Sequence, residues 1–215
     1  MKVLVIDDHP IVIQGCQRLL EDMGVEEVFL ASALSEGFRI YRQKHPDMII
    51  VDLSMQSGAL VGLSFIRRLR VHDERTRVLV LSMHSDRMIV SRALEVGANG
   101  YLLKDTSPEE FAKAFRRVRD GQPYLNHDLA SEIAFMDARG DRNPLSRMTM
   151  RELQTLSLIA EGKPYIAIAE ELHVSYKTVV NTSAQLKAKL GVRTLPELMR
   201  IAIQHLPTSP SKPGL

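Results

Sequence analysis

The chain has 215 residues, 45% of them apolar and 25% charged, with a formal net charge of +2. These ordinary values exclude wholesale disorder, a collagen-like fibre and a coiled-coil rod. No apolar run approaches the ~20 residues of a membrane span, and the apolar start at 3–6 runs into Asp7 and Asp8 rather than a cleavage site, so the expectation is a cytoplasmic protein with no membrane partner. Over the first 120 residues, apolar runs at 3–6, 28–31, 48–51, 78–81 and 101–103 are too short for helices. They are mostly unalternated, as in parallel strands covered on both faces. Between them lie helix-period stretches at 10–22, 34–43, 62–71, 86–96 and 108–120. Five strand–helix repeats predict a doubly wound α/β domain with a five-stranded parallel sheet. Its last helix opens with a cap at Ser107, a proline at 108 and Glu110 placed to close a capping box. The single cysteine, Cys16, falls on an apolar-periodic segment and reads as a small buried hydrophobe.

After Gly121 the pattern loosens, with Pro123, Gly140, Asn143 and Pro144, and residues 121–146 read as a linker holding a short helix at 128–138. From 147 onward every signal is helical. Thr149 and Glu152 form a capping box before Leu153, Leu156 and Ile159, and Gly162 ends that helix. A short second helix covers 164–172, followed by a tight turn at His173 and Val174. Ser175 caps a third helix that runs to Leu190 and stops at Gly191, and Thr194, Pro196 and Glu197 open a fourth. This predicts an all-α four-helix domain over 147–206 and a mobile Pro-rich tail over 207–215. Residues 1–120 carry 17 basic and 17 acidic side chains, whereas 145–206 carry eight basic against five acidic. The local excess permits nucleic-acid binding without demanding it.

In open α/β sheets ligands bind beyond the carboxyl ends of the strands, near a topological switch point. Asp7 and Asp8 end the first predicted strand and Asp52 ends the third. If those strands are neighbours, three carboxylates converge, each disfavouring ionisation of the others. A hard divalent cation such as Mg²⁺ relieves that repulsion with one or two carboxylates, waters and a phosphoryl oxygen. Ser82 ends the fourth strand and Lys104 follows the fifth, a hydroxyl and a cation suited to phosphoryl oxygens.

The segments Asp7-Asp8-His9-Pro10, Asp52-Leu53-Ser54-Met55, Ser82 and Gly97-Ala98-Asn99-Gly100-Tyr101-Leu102-Leu103-Lys104-Asp105 resemble the receiver domain of bacterial two-component response regulators. The resemblance implies that Asp52 takes a phosphoryl group from the phosphohistidine of a sensor histidine kinase. It implies Mg²⁺ held by Asp8, Asp52 and the backbone carbonyl of Ser54, with Asp7 in support. Lys104 and Ser82 would hold the phosphoryl oxygens, and Ser82 with Tyr101 would form the switch that reshapes the surface of the fourth helix, fifth strand and fifth helix. One departure stands beside the site: the proline and glycine usual after the phosphoacceptor are replaced by Gln56 and Leu60, and the counterpart glycine is Gly62, so 56–61 reads as a short insertion.

The helical segment resembles the four-helix LuxR-type DNA-binding domain through Met148 to Glu152, Glu161-Gly162, Ile168-Ala169, Leu172, Val174-Ser175, Lys177-Thr178-Val179 and Lys189 to Val192. That places the chain with the NarL/FixJ branch of response regulators. The third helix would be the recognition helix in the major groove. Asn181, Thr182, Ser183 and Gln185 are candidates for base edges. Lys163, Tyr165, Tyr176, Lys177, Thr178, Lys187 and Lys189 are candidates for the phosphate backbone. Where the family commonly has a lysine and then a histidine after Thr178-Val179, this chain has Val180, Asn181 and Thr182, with Ala184 following on the same face.

The leading reading is a phosphorylation-controlled transcription regulator that dimerises and binds promoter DNA. An alternative is a phosphoryl-responsive interaction module or phosphoryl sink whose helical domain binds DNA weakly or not at all, motivated by Ile166, Val180 and Ala184. An enzymatic reading, a phosphatase using Asp7 or Asp8 as nucleophile, needs a substrate cap for which this length has no room, so the expectation is a regulator and not an enzyme.

Overall fold

The computed structural model describes residues 1–55, 60–139, 145 and 148–206, and for 135–139 the backbone alone. It contains β1 (Lys2–Ile6), α1 (Pro10–Asp22), β2 (Glu27–Ala31), α2 (Leu34–Lys44), β3 (Met48–Val51), α3 (Val61–Arg70), β4 (Arg77–Ser82), α4 (Arg87–Glu95), β5 (Gly100–Leu103), α5 (Pro108–Arg119) and α6 (His127–Arg139). The helical region holds α7 (Met150–Ala160), α8 (Tyr165–Glu171), α9 (Tyr176–Leu190) and α10 (Leu195–His205). Gln56 to Ala59 of the expected insertion, the end of the expected linker and the tail 207–215 lie outside the described residues. No helix among the described residues is long and apolar enough to cross a membrane.

The chain divides into two compact units. In the first, a five-stranded sheet runs in the order β2-β1-β3-β4-β5. Every pairing is parallel, with Ile6 opposite Val51 and Val51 opposite Val80. The sequence explains the type. Val3, Val5, Met48, Ile50, Leu79, Leu81 and Leu102 form one face and pack with Cys16 and Leu20 of α1 and Phe111, Ala114, Phe115 and Val118 of α5. The alternate positions Leu4, Ile6, Ile49, Val51, Val78 and Val80 are equally buried, so the strands carry apolar side chains on both faces. Cys16 is part of that core, and burial, with Asp7 nearby, pushes its thiol up to about 12. The helix expected in the 121–146 segment is α6, which counts with the sheet unit and places Glu132 3.9 Å from Arg87 of α4.

Where β3 meets α3, the fold depends on a missing side chain. A Cβ on Gly62 would lie 2.4 Å from the carbonyl oxygen of Asp52 and 2.7 Å from the Cα of Leu53. The Gly62 amide donates to Leu53 O at 3.0 Å, so helix and strand end touch backbone to backbone. Glycine at 62 is thus required by close approach and not by a turn. Gly62→Ala must push α3 away from Asp52. The expected cost is about 2–3 kcal/mol, typical of overpacking, read from the urea midpoint, with a matching loss of phosphoryl acceptance at Asp52.

The second unit is capped as its sequence predicts. Thr149 with Glu152 and Thr194 with Glu197 form complete capping boxes on α7 and α10. The Ser175 side chain accepts from the Thr178 amide, and Gly191 closes α9 in the left-handed conformation at φ 68°. His173 supplies the turn between α8 and α9 at φ 52°, a conformation uncommon for a residue with a side chain. Val179, Leu186, Ile168, Leu156, Leu198 and Ala202 are buried in this region.

Candidate functional site

The strand order makes β1 and β3 neighbours, so Asp7 and Asp52 leave the sheet side by side. The backbone ladder continues into the site: the Asp52 amide donates to Ile6 O at 2.9 Å, and the Lys104 amide to Ser82 O at 2.9 Å. The end of β1 is therefore held to that of β3, and the end of β4 to that of β5, by backbone hydrogen bonds.

Asp7 and Asp52 are each 2% exposed. Lys104 Nζ lies 2.7 Å from Asp7 Oδ2 and 2.8 Å from Asp52 Oδ2, bridging both carboxylates. The second oxygen of Asp52 accepts from the Ser54 amide at 3.2 Å. Burial raises the Asp52 carboxyl to about 6, outweighing the charge and hydrogen bond of Lys104; Asp7 adds to the rise. For Lys104, burial lowers the pKa, but the attraction of Asp52 and Asp7 is larger and the net shift is upward.

Asp7, Asp8, His9 and Asp52 bring one ligand atom each within 4.8 Å of one another, a set that could hold a metal ion. The buried Asp8 Oδ1 accepts no directed hydrogen bond, and Asp7 Oδ2 has Lys104 Nζ 2.7 Å away. Three carboxylates fit a hard, oxygen-seeking cation. An imidazole does not, and His9 fits better as local support: its amide donates to Asp7 Oδ1 at 2.9 Å, and its Nδ1 sits 3.1 Å from Asp7 and from Asp8.

His84 was not singled out in the sequence. It is 5% exposed and receives bonds from three directions. Its amide donates to Ser82 Oγ at 3.2 Å, its carbonyl accepts from the Tyr101 hydroxyl at 2.7 Å, and its Nε2 lies 2.6 Å from Ser54 Oγ. Burial, reinforced by the charge of Lys104, lowers its imidazole to about 4, which keeps the ring neutral near pH 7. The only sequence signal for this role was its place two residues beyond Ser82. Tyr101, expected to form the switch with Ser82, is fully buried here, with its hydroxyl donating to the His84 carbonyl.

In the second unit the expected nucleic-acid residues separate into two groups. Tyr176, Lys177, Thr178, Asn181 and Gln185 are exposed on α9, as are Val180 and Ala184. Most of the others have partners within the domain. Lys163 pairs with Glu161 at 3.1 Å and Glu171 at 2.7 Å, and Lys189 with Glu152 at 2.8 Å. The Tyr165 hydroxyl lies 2.5 Å from Ser183 Oγ. Thr182 and Ser183, expected at base edges, are only 8% and 1% exposed, and Thr182 donates its hydroxyl to Thr178 O at 2.9 Å. It shares the inward face of α9 with Val179, Ser183 and Leu186, so the helical phase turns it from the exposed side. Arg151 was also missed; it donates to Leu172 O at 3.1 Å and fastens α7 to the end of α8.

Comparison with known proteins bears on both units. The family model described as "Response regulator receiver domain" matches residues 3–116, and that of "Bacterial regulatory proteins, luxR family" matches residues 146–202. The methanol utilization control regulatory protein MoxX of Paracoccus denitrificans is 38% identical over 205 residues, covering 95% of this chain and 92% of that protein. The response regulator UvrY of Escherichia coli strain K12 is 30% identical, covering 95% and 94%. Among solved structures, RcsB of Salmonella enterica serovar Typhimurium, bound to promoter rprA in the presence of the phosphomimetic BeF3⁻, is 26% identical. It aligns with a TM-score of 0.70 over 94% of this chain and 98% of that one.

Proposed function

Because the chain belongs to the response regulators of NarL/FixJ type, with a receiver domain and a LuxR-type DNA-binding domain, we propose that Asp52 is its phosphoacceptor and that phosphorylation there controls dimerisation and binding to promoter DNA. The observation that carries the site assignment is the bridge from Lys104 to Asp7 and Asp52 at the carboxyl edge of the sheet. A buried carboxylate ringed by acids and one lysine suits a group that is to become an acyl phosphate. The donor is a phosphohistidine on a sensor histidine kinase. An oxygen of Asp52 bonds to phosphorus as the phosphorus–nitrogen bond breaks, and the leaving imidazole takes up a proton. Mg²⁺, held by Asp8, Asp52 and the Ser54 carbonyl with Asp7 in support, would neutralise charge on the transferring group.

The protein's own groups do the rest. Lys104 exchanges part of its hold on the carboxylates for a phosphoryl oxygen, and the Ser82 hydroxyl donates to another. Ser82 Oγ now accepts from the His84 amide, so engaging the phosphoryl group pulls on the segment that also carries the acceptor for Tyr101. That path links the new charge to the surface of α4, β5 and α5. Two helical domains brought together would then grip two half-sites on promoter DNA through α9.

The test is phosphorylation by a small-molecule acyl phosphate with Mg²⁺. One base-labile phosphoryl group is expected, located by peptide mapping to Asp52, together with a shift toward dimer in light scattering. A phosphoryl group on Asp7 or Asp8, or dimerisation that persists in Asp52→Asn under the same phosphodonor, would overturn the assignment.

A further inference from the structure

The inference concerns what α9 reads, and it rests on the reading that the helical domain binds DNA. The exposed face of α9 is a defined row. Lys177, Val180, Asn181, Ala184 and Ala188 recur at the spacing of one helical face and are all exposed, whereas Val179, Thr182, Ser183 and Leu186 point inward. Between Lys177 and Lys187 the helix carries no charge. The middle of the face therefore offers two amides, Asn181 and Gln185 one turn later, beside the methyl groups of Val180 and Ala184.

The chemistry of the major groove narrows what such a face can select. Guanine is read chiefly by arginine or lysine on O6 and N7, and no cation stands in this stretch. Adenine is the base that an asparagine amide matches bidentately through N6 and N7. The one apolar group on the groove floor is the C5-methyl of thymine, and alkyl side chains are its complement. Val180 and Ala184 are four residues apart, about 6 Å along the helix, close to two steps of the ~3.4 Å base-pair rise. An adenine opposite Asn181 and thymine methyls against Val180 and Ala184 thus fall within a run of about three base pairs.

We infer that α9 selects an A·T core in each half-site, Asn181 pairing with an adenine and Val180 and Ala184 contacting thymine methyl groups. The specificity comes from the Asn181 amide, with Gln185 one turn on as a second adenine-matching amide, and from two alkyl contacts, with the exposed Lys177 and Thr178 at the start of the helix left for phosphate.

The test uses the full chain with phosphodonor and Mg²⁺. A random duplex pool is selected for retention, and the recovered half-site is resynthesised with deoxyuridine in place of each thymine in turn. Loss of a single methyl contact is expected to weaken binding about fourfold at one or two core positions and nowhere else. Asn181→Ala is expected to lower the preference for adenine at one position tenfold or more. Val180→Gly is expected to remove the uracil effect at one position while circular dichroism shows α9 intact. A G·C-led core, or uracil substitution without effect throughout, would overturn the inference and leave DNA binding standing. No retained duplex from protein phosphorylated on Asp52 would overturn both, and would turn the search to protein partners.

Discussion

Asp52→Asn is expected to abolish phosphoryl acceptance and, at the same time, to make the protein more stable. The two effects share one cause. Burial holds the Asp52 carboxyl at about 6, above the 3.8 of a free side chain, even with Lys104 2.8 Å away. The folded state therefore binds this proton more tightly than the unfolded chain. Folding is penalised wherever the group is ionised: not at all below about pH 4, increasingly as pH rises through 6, and fully above 7. Two pKa units correspond to roughly 3 kcal/mol, and a share of that returns as lost attraction when the carboxylate goes. A gain of about 1–3 kcal/mol at pH 7.5, vanishing near pH 4, is the expected result of urea unfolding across that range without metal. An equal gain at both pH values would show that packing and not charge had changed.

Lys104→Met should do the opposite and by more. It leaves Asp52, 2% exposed, with no cation among the described residues, and takes from Asp7 its 2.7 Å partner. Removing one member of a buried pair commonly costs 3–5 kcal/mol, because the remaining charge stays desolvated. A loss of about 3–4 kcal/mol is expected at pH 7.5, shrinking toward pH 5 as Asp52, its pKa raised further, takes up a proton. Millimolar Mg²⁺ should restore a large share at pH 7.5, since a divalent cation relieves the same repulsion. The double variant Lys104→Met with Asp52→Asn should recover most of the loss, a non-additivity that separates charge from packing. A loss independent of pH and of Mg²⁺ would place the role of Lys104 in packing alone. The phosphodonor response should vanish in either single variant, for different reasons: one has no acceptor, and the other has no cation to hold the product.

The sheet was legible in the sequence because buried parallel strands carry an unusually plain signal, short apolar runs at regular intervals with helix periods between them. That Asp7, Asp8, Asp52, Ser82 and Lys104 gather at one edge of the sheet was legible for the related reason that each ends or closely follows a strand. What stayed hidden was whatever depends on a partner distant in sequence. Nothing in the neighbourhood of Lys189 says that Glu152, 37 residues earlier, waits 2.8 Å away. Nothing near Ser54 announces the ring of His84. Thr182 is a subtler case. Its polarity suggested the exposed face, but the phase of α9 is set by Val179 and Leu186, and a threonine that can return its hydroxyl to the helix backbone is tolerated inside. Gly62 could be matched to a family glycine by eye, yet its reason, the Asp52 carbonyl against its Cα, needed three dimensions.

The three bonds that meet at His84 are of two kinds, and this divides what mutation can reach. Ser82 and Tyr101 grip its amide and its carbonyl, which every residue except proline possesses. Ser54 grips the imidazole, which only histidine supplies. The connection from Ser82 to Tyr101 thus runs through the main chain and is indifferent to the letter at position 84. The tie to the loop beyond the phosphoacceptor is written in the side chain. Exchanging the side chain at 84 would therefore cut the tie to Ser54 while leaving both main-chain bonds in place.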